Sequence, residues 1–108
     1  MKVLLDENID VRFKKHLLQF YEIYTVNDMK WNGIKNGELL KLISQYNFDC
    51  WIVVDKNIPY QQNISQLPCL IIVLNVFRNT LMNLIPFIPQ ILQTLELNKS
   101  NTLVILEE

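Results

Sequence analysis

Apolar residues fall along the chain in two kinds of run. Short continuous runs, "KVLL" at 2–5, "CWIVV" at 50–54, "CLIIVLNV" at 69–76 and "TLVIL" at 102–106, hold large aliphatic and β-branched side chains with little polar interruption. Such runs predict strands buried on both faces, because a half-exposed strand alternates apolar with polar. "EIYTV" at 22–26 reads as one more strand. Elsewhere the apolar positions recur at helical spacing. Ile9, Phe13, Leu17 and Phe20 predict a first helix across "NIDVRFKKHLLQF", with Arg12, Lys15, His16 and Gln19 on its polar face. "ELLKLISQY" predicts a second, with Asn36 as its N-cap and Leu39, Leu40, Ile43 and Tyr46 turned inward. "TLMNLIPFIPQILQTLEL" is helical by pattern but contains Pro86 and Pro89. Proline lacks the amide hydrogen and clashes with the preceding turn, so a bend or a late start is expected there.

The order β-α-β-α-β-β-α-β predicts an α/β fold: three layers, with a mainly parallel five-stranded sheet flanked by helices. Right-handed crossovers favour a doubly wound strand order near 2-1-3-4-5. In that order the ligand crevice lies outside the carboxyl ends of the strands where the winding reverses, between strands one and three. A chain of 108 residues is expected to form one domain over 1–108, and it contains no repeat or linker.

Composition narrows the function classes. Half the residues are hydrophobic and the net charge is −1, which excludes a disordered chain and a nucleic-acid binder working by bulk positive charge. Any nucleic acid must be held by a local patch, by metal ions or with a partner's help. Cys50 and Cys69 are too few and too far apart for a zinc cluster or a disulfide framework, and read as buried thiols in a reducing cytosol. No apolar run approaches the ~20 residues of a membrane span, so a cytoplasmic protein is expected.

The candidate chemistry lies in the acids at strand ends. Asp6 and Glu7 follow the first strand and Asp55 follows the third, while Glu38 opens the second helix. If strands one and three are neighbours, Asp6 and Asp55 project into one crevice and Glu38 closes the set. Clustered carboxylates repel unless a cation lies between them, and hard oxygen ligands suit Mg²⁺ or Mn²⁺. Taken singly, each acid has a structural reading as a helix cap, a dipole partner or a turn opener. After Asp55 comes a nearly uncharged, amide-rich stretch, "VVDKNIPYQQNI", in which Asn57, Gln61, Gln62 and Asn63 offer neutral donors and acceptors. Asn8 offers the same beside Asp6. Trp31 reads as a packing anchor or a base-stacking platform.

"LLDEN" at 4–8, "VNDMKWNGIKNGELL" at 26–40 and "VVDKNIPYQQNI" at 53–64 together resemble the PIN-like domains of small prokaryotic proteins, a branch of the PIN nuclease superfamily formerly labelled a domain of unknown function. The resemblance runs over nearly the full chain. It implies a compact PIN-type α/β fold and a Mg²⁺- or Mn²⁺-dependent ribonuclease, often a toxin neutralised by an antitoxin protein. By motif it carries metal-ligand and catalytic roles to Asp6, Glu38 and Asp55, and places Asn8, Asn57, Gln61, Gln62 and Asn63 beside the substrate. PIN nucleases usually have one more acid; Asp28 and Glu7 are the nearby candidates, and neither matches clearly. RNA, an antitoxin-like protein and a second copy of the chain are the candidate partners. The competing reading is a catalytically weak or inactive PIN-like module that binds a protein or RNA. A phospho-receiver domain shares the acids but resembles this chain less, since the last strand ends "VILEE" without the expected Lys.

Overall fold

A computed structural model describes residues 1–54, 67–97 and 100–108. Five parallel strands, β1 (Lys2–Leu5), β2 (Glu22–Thr25), β3 (Cys50–Val53), β4 (Leu70–Asn75) and β5 (Leu103–Glu107), stand in the order β2-β1-β3-β4-β5. The expected α/β architecture and strand order are therefore those of the molecule. Helices α1 (Asn36–Gln45), α2 (Leu81–Leu84) and α3 (Ile88–Leu97) flank the sheet, with 3-10 turns at Val11–His16 and Ile85–Phe87.

The continuous apolar runs are explained by burial on both sides. Adjacent strand residues point to opposite faces. Val3, Leu5, Cys50, Ile52, Leu70, Ile72 and Leu74 therefore form one core with Phe13, Leu17, Leu84, Phe87, Ile91 and Leu95. Leu4, Trp51, Val53, Ile71 and Val73 form the other with Leu39, Ile43, Trp31 and Phe48. Fully burying one such aliphatic or aromatic side chain contributes about 1.5–3 kcal/mol. Neither face could be polar without losing that term.

The three described crossovers do not share one hand. The β1–β2 connection moves toward one edge of the sheet over the first core, through Phe13 and Leu17, and β2–β3 moves back over the second, through α1. Those two have the same hand. The β4–β5 connection moves in the direction of β2–β3 but runs over the first core, through Leu84, Phe87, Ile91 and Leu95, so its hand is opposite. About 98% of such crossovers are right-handed, which makes the last unit the exception to the expected winding. The sheet's first face explains it. The short 3-10 turn of the β1–β2 connection is too small a cover for Cys50, Ile52, Leu70, Ile72 and Leu74. The α2–α3 arm supplies the rest.

Local expectations fare unevenly. The first helix is a 3-10 turn over Val11–His16, with Ile9, Phe13 and Leu17 buried as expected, but Phe20 is 52% exposed. Phe20 lies in the hydrogen-bonded turn from Leu17 to Tyr21 that redirects the chain into β2, past the end of the helical run. The proline-bearing segment bends as expected. Thr80 caps α2 by accepting from the Asn83 N–H at 3.3 Å, and Pro86 occupies a 3-10 turn between α2 and α3. Asn36 is the first residue of α1 rather than its cap; Lys35 holds the cap position in extended conformation, with no side-chain capping bond. Leu39 and Ile43 are buried, Leu40 is half-buried and Tyr46 lies exposed past the helix end. Both cysteines are free and buried. Burial pushes the Cys69 thiol up to about 12 and raises Cys50 as well.

Candidate active site

Because all five strands are parallel, the chain leaves every one of them at the same edge of the sheet. Asp6 is the first residue off β1. Its backbone N–H donates to the Ile52 carbonyl at 3.0 Å and its own carbonyl accepts from the Ile9 N–H at 3.0 Å. Leu5 and Ile52 are register partners, so Asp6 is fixed in the fork between β1 and β3. The residue is only 7% exposed, and with Thr25 it makes up the buried polar residues among those described. Burying a carboxylate is costly without compensating partners. Asp6 stands at the point where the winding reverses, which is where sheets of this kind hold ligands.

Two straps hold the loop after β1. The Gly33 N–H donates to Glu7 Oε2 at 3.1 Å, tying it to the β2–α1 loop. Gly33 sits at φ 79°, a left-handed conformation that glycine adopts without strain. On the other side Asn79 Nδ2 donates to the Asn8 carbonyl at 2.7 Å, tying it to the β4–α2 loop. Asn8, expected to face substrate, thus uses its backbone in a structural contact and is itself exposed. Sequence reading missed both straps. Gly33 in "WNG" carried a turn signal, but nothing in the sequence paired it with Glu7.

The other expected ligands divide. Glu38 stands in the first turn of α1, which starts at this edge because the helix runs back against the strands. Its side chain is 69% exposed and lies 3.4 Å from Lys41 Nζ. A carboxylate beside an i+3 lysine on an open surface is what an ordinary amphipathic helix provides, and it is not buried beside Asp6. Among the described residues no three of His, Cys, Asp and Glu are grouped so as to hold a metal ion. Asp55, Asn57, Gln61, Gln62 and Asn63 lie outside the described residues.

Asp28 is committed elsewhere. Its Oδ2 accepts from Lys14 Nζ at 2.7 Å and from the Thr25 N–H at 2.9 Å, while its own N–H donates to Thr25 Oγ1 at 2.9 Å. The Lys14 contact, helped by the Thr25 amide, lowers its pKa. Arg12 is likewise occupied: Nε and Nη2 donate to the Asp10 carboxylate at 3.0 and 2.6 Å and hold it at about 2. Arg12 is solvated, as its place on the polar face suggested, but it is paired with Asp10. Trp31 is the packing anchor, 8% exposed and edge-on to Tyr46 at 5.1 Å and Phe48 at 5.9 Å. A base-stacking role for it has no exposed ring face to work with.

Two hollows lie toward the β4–β5 side. One of about 330 Å³ is lined by Asn75, Phe77, Glu107 and Glu108, where Asn75 Nδ2 donates to Glu107 Oε2 at 2.6 Å. A second of about 250 Å³ is lined by Asn83, Pro86, Phe87, Gln90 and Glu108. Asp6 lines neither. Among the described residues no helix is long and apolar enough to cross a membrane. Comparison with protein-family models, curated proteins and solved structures finds no match to this chain.

Proposed function

We propose that the chain is a metal-dependent endoribonuclease of the toxin type, with Asp6 as the inner ligand of a Mg²⁺ or Mn²⁺ ion in the β1–β3 crevice. The observation that carries the reading is the burial of Asp6 at the carboxyl edge, in the fork between two central strands. An oxygen-only donor set suits these ions, which bind through few carboxylates and keep several waters. Asp55, which follows Val54 in sequence, is the second ligand the proposal names; Glu38, exposed beside Lys41, would have to turn toward the crevice to be a third. When bound, the ion supplies an activated water and offsets charge developing on the phosphate. Asp6 would hold the ion, and the hydrogen bond from its backbone N–H to the Ile52 carbonyl would keep its main chain in place as substrate enters. A cytoplasmic setting, RNA as substrate and an antitoxin-like protein partner belong to the same proposal.

The test is cleavage of single-stranded and structured RNA by the purified chain in Mg²⁺ or Mn²⁺. Cleavage lost on chelation and in Asp6→Asn and Asp55→Asn is expected; undiminished activity in both variants overturns it.

A second reading, a non-catalytic module that keeps the crevice for binding, is favoured by the exposure of Glu38 beside Lys41 and the commitment of Asp28 to Lys14. A calorimetric titration with millimolar Mn²⁺ separates the two. No heat of binding in the wild-type chain selects the module.

A further inference from the structure

Overall the chain has a net charge of −1, so a polyanion can be attracted only by a local excess of free cations. Four of the described cations are occupied. Arg12 pairs with Asp10, Lys14 with Asp28 and Lys41 with Glu38. Lys2 donates to the Tyr46 carbonyl and lies over the Phe48 ring. Lys15, Lys30, Lys35 and Arg78 are exposed and make no ion pair with a described residue.

Three of these four stand at the edge that holds Asp6. Lys30 and Lys35 belong to the β2–α1 loop, and Arg78 to the β4–α2 loop. Each loop is strapped to the loop after β1, at Gly33–Glu7 and at Asn79–Asn8. Arg78 is the residue next to that second strap, and its own carbonyl accepts from Asn83 Nδ2 at 3.1 Å and from the Thr80 N–H at 2.9 Å. The backbone under the guanidinium is therefore anchored on three sides while the side chain stays in water. In the strand order β2-β1-β3-β4, the two loops leave strands on either side of the fork. Three strand intervals separate them, about 14 Å, a span wider than one phosphate group.

We infer that Lys30, Lys35 and Arg78 form a split phosphate-binding rim that holds the backbone of single-stranded RNA across the Asp6 crevice. The inference rests on the ribonuclease reading of that crevice and names the groups that deliver substrate to it. Lysine and arginine neutralise phosphates without reading bases, so the rim positions the strand and leaves sequence choice to other groups. Glu7 and Glu38 share the rim. They disfavour indiscriminate polyanion binding, and they make a divalent cation in the buffer part of the measurement.

The experiment uses the full chain with Asp6→Asn, so that RNA is not cut, and a short fluorescent single-stranded RNA in Mg²⁺ buffer. Anisotropy titrations at several salt concentrations give the affinity and its salt slope. Arg78→Ala is expected to lower affinity several-fold at low salt and to flatten the slope of log K against log salt by about 0.7. Lys30→Ala with Lys35→Ala should flatten it by about twice as much. Arg78→Lys restores most of the loss, because the charge is kept. Lys15→Ala, on the 3-10 turn and outside both loops, leaves binding unchanged. A DNA strand of the same sequence should suffer equal losses, as phosphate contacts require. Parent-like affinity and slope in both alanine variants, or a parent that binds no RNA, overturns the rim. If the wild-type chain cuts RNA while the variants bind like the parent, the rim fails alone. If binding depends on these cations but the wild-type chain cuts nothing, the nuclease reading fails alone.

Discussion

The amide of Asp6 donates to the carbonyl of Ile52 at 3.0 Å, and that bond fixes the main chain of Asp6 between two strands. In the proposed site, a backbone fixed this way needs little reorganisation for Asp6 to receive an ion. Binding to the folded chain alone adds RT ln(1 + [L]/Kd), about 1.4 kcal/mol at ten times Kd. In a domain of this size that raises Tm by roughly 4–8 °C. A thermal melt should show such a rise with Mn²⁺ in the wild-type chain and none in Asp6→Asn.

Asp28 and Thr25 bond reciprocally, and Lys14 adds a third contact. Asp28→Ala removes a cap-like arrangement, expected to cost about 1 kcal/mol, with the surface-exposed lysine pair contributing little of it. The pH sign follows from the lowered folded pKa. The stabilisation is complete above the unfolded value, about 4, and fades as pH falls through the folded one. Urea melts between neutral pH and pH 2 should therefore lose less stability in Asp28→Asn than in the parent. Asp10, at about 2 through Arg12, weakens over the same acid window.

Trp51 is fully buried, yet its indole Nε1 has no hydrogen-bond partner among the described residues. An unmet buried donor costs about 1–3 kcal/mol, a penalty that Trp51→Phe removes while it opens a small cavity. The two effects oppose, so the variant should unfold within about 1.5 kcal/mol of the parent. Ile52→Ala, with no such relief, should cost about 2–5 kcal/mol. Equal large losses in chemical denaturation would refute the opposition.

Cys50 and Cys69 are buried with raised pKa values, so the reactive thiolate is scarce in the folded chain. Iodoacetamide at pH 8 should leave both unlabelled for as long as the protein stays folded. Both should label promptly in denaturant. Mass spectrometry reads the two states directly.

The fold was more legible than the site, and particular residues show why. Strands such as "CWIV" are apolar on every position because both faces are covered, and that demand is written residue by residue. Pro86 announced the bend between α2 and α3 through its missing amide. Phe20 misled, since periodicity alone does not say where a helical run gives way to a turn. Asp6 was expected at the carboxyl edge from the strand order, and it stands there, buried. Glu38 was expected at the crevice from its place in the chain, but orientation around a helix and a nearby Lys41 decide where a carboxylate points. The free cations Lys30, Lys35 and Arg78 could not be told from the occupied ones by sequence, since Arg12 and Lys14 look equally available until their partners are seen.

The reversed hand of the β4–β5 crossover has a consequence for how the chain assembles. It brings the arm carrying Leu84, Phe87 and Ile91 onto the same side as Phe13 and Leu17, so the earliest and latest thirds of the polypeptide bury a common interior. Neither can be secured without the other. Amides of β1 and of α3 should therefore exchange their hydrogens in a single all-or-none opening, while α1, seated on the other interior, is free to open by itself.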